Sequence, residues 1–261
     1  MPELPDLEVF KINIFSKITS KRLIGLEVFN QKKVNNSQTK LVDELKGKEL
    51  LSINRIGKEL FFDFGDNKRV AVHLMLNGEM AIVDKANIGE IKYKIFSFIF
   101  EKESLVFMDM GGLCTIKYMP EINKTPDVFD NTFTLKYFLD VAHIKPRVNV
   151  KAFLIDQSIA KGIGNAYADE ILWSARISPR SIVGKIPDDV LTTLYASIGT
   201  VLRNAIESIK IISPDIISGE ERSFLKIHNK TKKKSETGYP IIIEKIASKT
   251  TYFTEEQVLY D

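Results

Sequence analysis

The chain is poor in the residues that usually build metal and disulfide chemistry. It has one cysteine, Cys114, and three histidines in 261 residues. A lone thiol excludes an intramolecular disulfide framework and any thiolate zinc site, and it fits a reducing, cytoplasmic setting. His73, His143 and His228 are scattered along the sequence, so neither a metal nor another cofactor is expected. No apolar stretch approaches the roughly 18 residues that span a bilayer, and no basic segment followed by an apolar one marks an export signal. A membrane partner is therefore not expected. Only nine prolines occur, yet two fall within the first five residues, MPELP. A frayed terminus is the ordinary reading of such a start.

What the chain does have is a globular composition, 44% hydrophobic and 27% charged, with a formal net charge of +3. That balance barely favours a nucleic-acid partner by itself. The distribution says more, because Lys226, Lys230, Lys232, Lys233 and Lys234 crowd one short segment. Taken alone, a lysine cluster is usually a solvated loop.

Residues 1–120 read mainly as strands. LIGLEVFNQKKV, ELLSINRIGKELFFDFG, RVAVHLMLNGEMAIV and YKIFSFIFEKESLVFMDMG are rich in β-branched and aromatic residues and are punctuated by Gly65-Asp66-Asn67 and Asn77-Gly78. One helix is expected before them, over about residues 7–18, after the prolines. Residues 121–132 read as a polar linker. The pattern then becomes helical over 133–223, with a long amphipathic helix starting at Pro187 and acidic Asp188 and Asp189 in its first turn. Residues 224–261 return to strands as a terminal hairpin, through 241–243 and 250–253. The fold class is α+β with segregated elements: a β-sandwich with a flanking helix, a helical domain, then the hairpin.

Within IDQSIAKGIGNAYADEILWSARISP, two helices flank SIAKGIGN. Gly162 and Gly164 permit unusual backbone angles and close approach of a ligand. Asn165 is placed to cap the second helix, leaving free N–H groups as an anion site suited to a backbone phosphate. By itself GIGN is equally an ordinary glycine-rich connection between helices.

The combination is more specific. Asp156-Gln157, Gly162-Ile163-Gly164-Asn165, Tyr167-Ala168-Asp169-Glu170 and Pro179 resemble the helix–two-turn–helix of the formamidopyrimidine-DNA glycosylase and endonuclease VIII family. Pro2-Glu3-Leu4-Pro5-Asp6 resembles that family's opening PELPE. The two motifs stand in the family's order, and the likeness covers essentially the whole chain.

The resemblance implies a DNA-repair glycosylase with AP lyase activity, acting as a monomer on damaged double-stranded DNA in the cytoplasm, nucleoid-associated in a bacterium. Removal of Met1 would free the secondary amine of Pro2. An α-amine titrates near pH 8, about two units below lysine, so a useful fraction is neutral and nucleophilic. It would attack C1′ of the damaged nucleotide, expel the base and form an iminium that leads to β-elimination. Glu3 is implied as the acid–base partner. Lys58, in the turn of RIGKELFFDF, is implied to contact phosphate and donate protons. Taken alone, Lys58 is an ordinary surface lysine at a strand start. His73 reads as a packed strand histidine. Lys161 and Lys230 join Asn165, Gly162 and Gly164 as implied DNA contacts.

Some positions depart from the family pattern. Lys234, Thr237, Thr254 and approximately Gln257 stand where four zinc-binding cysteines are common, which implies a zincless finger held by packing. Lys249 replaces the finger's arginine, keeping the charge but losing the bidentate fork. Asp109 matches, but Gly111-Gly112-Leu113 stand where Arg-Arg-Phe is expected. Met75 or Leu76, with Leu113, remains to fill the gap left by a flipped base. The segment between SIKIISPD and SGEERSF is short, so a preference for 8-oxoguanine is not implied. These losses leave an alternative, a DNA-binding member with weak or lost excision.

Overall fold

Helix α1 spans Leu4–Ile18 and so begins inside the proline pair. The sequence pattern placed its start after the prolines. Pro5 is tolerated there because first-turn N–H groups have no intrahelical acceptor, and proline has none to waste. The computed structural model describes all residues, 1–261. It divides into two compact units. The first comprises residues 1–2, 6–123 and 210–220; the second comprises 3–5, 124–209 and 221–261.

In the first unit, β1 (Gly25–Val28) is followed by α2 (Gln38–Leu45) and then by β2 (Leu50–Ile56), β3 (Glu59–Phe64), β4 (Lys68–His73), β5 (Glu79–Asp84), β6 (Lys94–Ile99), β7 (Glu103–Met108) and β8 (Thr115–Tyr118). Two four-stranded antiparallel sheets result, ordered β1-β6-β7-β5 and β2-β3-β4-β8. Phe62 and Phe64 of one sheet meet Phe98 of the other at ring-centroid distances of 5.3 Å, and Phe62 lies edge-on to Phe107 at 5.8 Å. All four rings are buried, each contributing about 1.5–3 kcal/mol by removal from water. The sandwich is thus held by alternating aromatic side chains. Helix α2 was not expected. Only Leu41 and Leu45 of QTKLVDEL are buried, too few to give a clear helical stripe, and Ser37 caps its start by accepting from Lys40 N at 3.3 Å.

The second unit carries α3 (Leu135–Ile144), α4 (Val150–Ile155), α5 (Asn165–Ser174) and α6 (Asp188–Ile212), with the hairpin β9 (Ile242–Ile246) and β10 (Lys249–Phe253). The last residues of α6, from Lys210, belong to the first unit. The long helix begins at Asp188, directly after Pro187. Residues 126–132, part of the stretch 121–132 read from sequence as linker, are folded: Lys161 N donates to Pro126 O at 2.9 Å and Val128 N to Lys161 O at 3.1 Å, while Val128 enters the core that also holds Phe133. Their spaced apolar side chains gain burial that a free linker would forgo. Ala247 and Ser248 both have positive φ, the geometry of a tight two-residue hairpin turn. No helix is long and apolar enough to cross a membrane.

Candidate functional site

The GIGN turn does not hold an open anion site. Helix α5 has Gly164 as its N-cap, with no side-chain cap of its own. The amides of Ala166 and Tyr167 donate instead to the Glu3 carboxylate, at 3.0 Å to Oε1 and 3.4 Å to Oε2. A carboxylate on orphan first-turn N–H groups is the favoured occupant of a helix N-terminus. The two glycines make room for it. A Cβ on Gly164 would stand 2.2 Å from Glu3 Cδ, and one on Gly162, whose φ is +115°, would stand 2.6 Å from Leu4 Cδ1. At Gly162 and Gly164 it is the chain's own opening residues, Leu4 and Glu3, that come close. Gln157 fixes the turn, accepting from Gly162 N at 3.0 Å and donating to Ile155 O and Ile163 O at 2.9 Å each. Asn165 does not cap the helix either. It is the first helical residue, and its Nδ2 donates to Thr250 O at 2.9 Å, beside Lys249 on the exposed end of β10.

A buried charge cluster lies behind this turn, and sequence reading missed it. Lys151 on α4 and Asp169 on α5 are fully buried and pair at 2.7 Å. Lys151 Nζ also donates to Thr251 Oγ1 at 2.6 Å, and Asp169 Oδ2 accepts from Tyr252 N at 2.9 Å and meets His228 Nδ1 at 2.7 Å. The cluster ties the hairpin to both helices. Burial pushes the Lys151 ammonium below the usual lysine range, against the pull of Asp169 and Glu3 and with a further push from Lys249. Nothing in VKAFLI distinguishes this lysine from a solvated one.

Glu170, next to Asp169, accepts from the amides of Lys226, Ile227 and His228 at 2.8–3.0 Å. Burial raises its pKa above the ordinary 4.5 despite these three bonds. The native state then holds this proton over a range where the unfolded chain has lost it. Stability from Glu170 is full below pH 4.5 and falls as pH rises through the raised native value. Glu170→Gln should flatten that slope in urea unfolding measured from pH 4 upward; an unchanged slope would assign it to other groups.

In the first unit Pro2 is buried, and the ammonium of Met1 before it pairs with Glu220. Lys58 sits half-buried in the two-residue turn between β2 and β3, where Gly57 has φ +61°. Buried Arg55 clamps this turn, donating to Gly57 O at 2.9 Å and to Glu8 on α1 at 2.8 Å. His73 accepts from Met75 N at 2.9 Å, so its Nδ1 carries no proton. Burial lowers the His73 pKa, opposed by Glu59 and reinforced by Lys58 and Lys117. The packed role expected for this histidine matches.

The lysine segment is only partly open. Lys226 pairs with Glu236 at 3.0 Å though exposed, Lys232 is half-buried and donates to Leu225 O at 2.7 Å, and Lys230, Lys233 and Lys234 are exposed. Lys161 is half-buried in the turn before α5. At the finger positions, Thr237 joins a side-chain network, whereas Gln257 bonds to backbone groups. Thr237 Oγ1 donates to Glu256 Oε2 at 2.6 Å and shares a bond with Ser235 Oγ at 2.8 Å. Gln257 accepts from Thr254 N at 2.9 Å and donates to Ile177 O at 2.8 Å, and Glu256 pairs with Arg176.

Residues 1–116 match the model of the formamidopyrimidine-DNA glycosylase N-terminal domain, and residues 125–215 match that of the formamidopyrimidine-DNA glycosylase H2TH domain. The formamidopyrimidine-DNA glycosylase of Carboxydothermus hydrogenoformans is 33% identical over 88% of this chain and 89% of its own length. That of Lactococcus lactis subsp. lactis is 28% identical over 97% of each. The Lactococcus lactis enzyme solved with abasic-site DNA superposes with a TM-score of 0.85 at 25% identity, covering 97% of this chain and 98% of that one. Its complex with DNA containing an oxidised pyrimidine gives the same TM-score and identity.

The chain belongs to the formamidopyrimidine-DNA glycosylase family.

This family member presents an apolar edge on its sheet unit. Asp109 organises the loop after β7, accepting from Gly111 N, Leu113 N and Cys114 N at 2.6–2.7 Å. A Cβ on Gly111 would lie 3.7 Å from Asn77 Nδ2, so this loop abuts the one after β4. Leu76, Met110 and Leu113 are exposed along the edge, Met110 by 74%. Met75 is half-buried with φ +57°. Met110 was not anticipated from the sequence.

Proposed function

We propose that this bifunctional DNA glycosylase and AP lyase works through the amine of Pro2, exposed when Met1 is removed. The observation that carries the reading is the bond between Glu3 and the first amides of α5. It fixes the residue next to Pro2 on the most distinctive turn of the chain, so the opening motif and GIGN form one device. The Pro2 nitrogen attacks C1′ of the damaged nucleotide, and the C1′–base bond breaks with its electron pair leaving on the base. Glu3 protonates O4′ as the sugar ring opens, and the nitrogen lone pair forms the iminium. The iminium acidifies C2′–H; loss of that proton expels the 3′ phosphate and nicks the strand.

Lys58, on its clamped turn, contacts phosphate and supplies protons, and Lys249 assists a second elimination. Asn165, Lys161 and Lys230 contribute DNA backbone contacts. Leu76 and Leu113, with Met110, fill the space left by the flipped nucleotide. The hairpin serves as a zincless finger. Damaged double-stranded DNA of the kind bound by the Lactococcus lactis enzyme, abasic or oxidised, is the substrate, met by a monomer in the cytoplasm.

Borohydride reduction during reaction with abasic-site DNA tests the nucleophile. Wild-type protein, shown by N-terminal sequencing to begin at Pro2, should yield a covalent adduct, and Pro2→Gly should diminish it strongly. Failure of the wild type to trap would sink the mechanism and favour a DNA-binding member without excision.

A further inference from the structure

We propose that Glu220 binds the Pro2 amine in the processed chain, orients its lone pair and accepts the proton it sheds during attack. This rests on Pro2 being the nucleophile. The Met1 ammonium pairs with the Glu220 carboxylate, and that ammonium is three covalent bonds, roughly 3 Å, from Pro2 N. Removing Met1 vacates the ion pair and creates a new cationic amine one residue away. The carboxylate is left facing it.

Glu220 is held in place. It ends the 213–220 segment, which is fastened along the sheet unit. Asn13 Nδ2 donates to both Pro214 O and Ile216 O at 2.8 Å, and Ser218 Oγ accepts from Met80 N at 3.0 Å. Ile216 and Ile217 pack on the sandwich core. A short, fastened segment delivers its terminal carboxylate to one place, and the Glu220 side chain retains 34% exposure there while Pro2 is buried.

The chemistry balances without a further reactant. As the N–C1′ bond forms, the Pro2 N–H proton passes to Glu220 while the base departs with the C1′–base electron pair. That proton is then available to the departing base. The other charged groups tied to these segments are Glu3, next to Pro2, and Glu221, next to Glu220, with Lys58 on the same sheet unit. A carboxylate beside an amine favours its charged form. Glu220 therefore sets the pH at which the amine becomes neutral as well as its position.

The test is single-turnover borohydride trapping on abasic-site DNA across pH, with mass spectrometry confirming loss of Met1 in every protein. Glu220→Gln should lower the plateau rate by about 10²-fold and move the rising limb to lower pH, and Glu220→Asp should recover part of both. A plateau loss without a limb shift, at an unchanged melting temperature, would reduce Glu220 to a structural contact and overturn the proposal. So would unchanged trapping in Glu220→Gln. Absence of trapping in the wild type would instead overturn the Pro2 mechanism itself, which separates the two failures.

Discussion

Replacing Gly164 by alanine is expected to lower base excision by about 10²-fold with little loss of fold. The added methyl would stand 2.2 Å from Glu3 Cδ and 2.5 Å from each carboxylate oxygen. Such contact is impossible, so something moves. The easiest thing to move is the far end of a flexible side chain, and here that end is the group placed beside the nucleophile. Displacement of a reacting group by about 1 Å costs about 10²-fold in rate. Losing its two bonds to the helix amides costs stability about as a lost cap does, roughly 1 kcal/mol. Excision of a damaged base from a duplex oligonucleotide, followed alongside thermal melting, separates these effects. Excision near wild-type would show that the Glu3 position is not critical. A collapse of melting temperature would show that the backbone, not Glu3, had given way.

The second large effect concerns the buried lysine. Lys151→Met should reduce the free energy of unfolding by about 3–5 kcal/mol, because Asp169 is left charged and fully buried without its cation. The hairpin should loosen with it, since Lys151 Nζ also reaches Thr251 Oγ1 and, at 3.4 Å, Thr250 O. Thr250 O is also the acceptor for Asn165, so DNA affinity should weaken too. Urea unfolding read at constant m-value measures the first effect. Pairing the change with Asp169→Leu should recover part of the loss, since two apolar partners leave no buried charge. A loss below about 1 kcal/mol in the single variant would mean that His228 and the Tyr252 amide suffice to hold Asp169.

How far the sequence could be read follows from what kind of contact each feature depends on. The sandwich was legible because Phe62, Phe64, Phe96 and Phe98 alternate along their own strands, a local pattern. The long helix α6 was legible for the same reason, from Pro187 and the acidic first turn. Helix α2 was not, with two buried leucines among polar residues. The opening motif and GIGN were recognisable by residue type and spacing, yet their relation was not. The Glu3–Ala166 bond joins residues 163 apart in sequence, and no local pattern encodes such a pairing. The glycines illustrate the cost of that blindness. Their backbone freedom was evident, but the groups that come close belong to the same chain, the Leu4 side chain at Gly162 and the Glu3 carboxylate at Gly164. Lys151 and Glu220 were illegible because a buried charge and an exposed one have the same letter.

The finger's hydrogen bonds have a consequence for the conditions in which such an enzyme works. Oxidised bases accumulate when peroxide and related species do, and a finger built on zinc thiolates exposes the sulfur atoms those species attack. Here the corresponding positions are Lys234, Thr237, Thr254 and Gln257, none of which has sulfur to oxidise. The chain's one thiol, Cys114, is buried and its pKa pushed up to about 12, chiefly by that burial, so it offers almost no thiolate at neutral pH. The species that oxidise bases therefore meet no reactive thiolate at these hairpin positions.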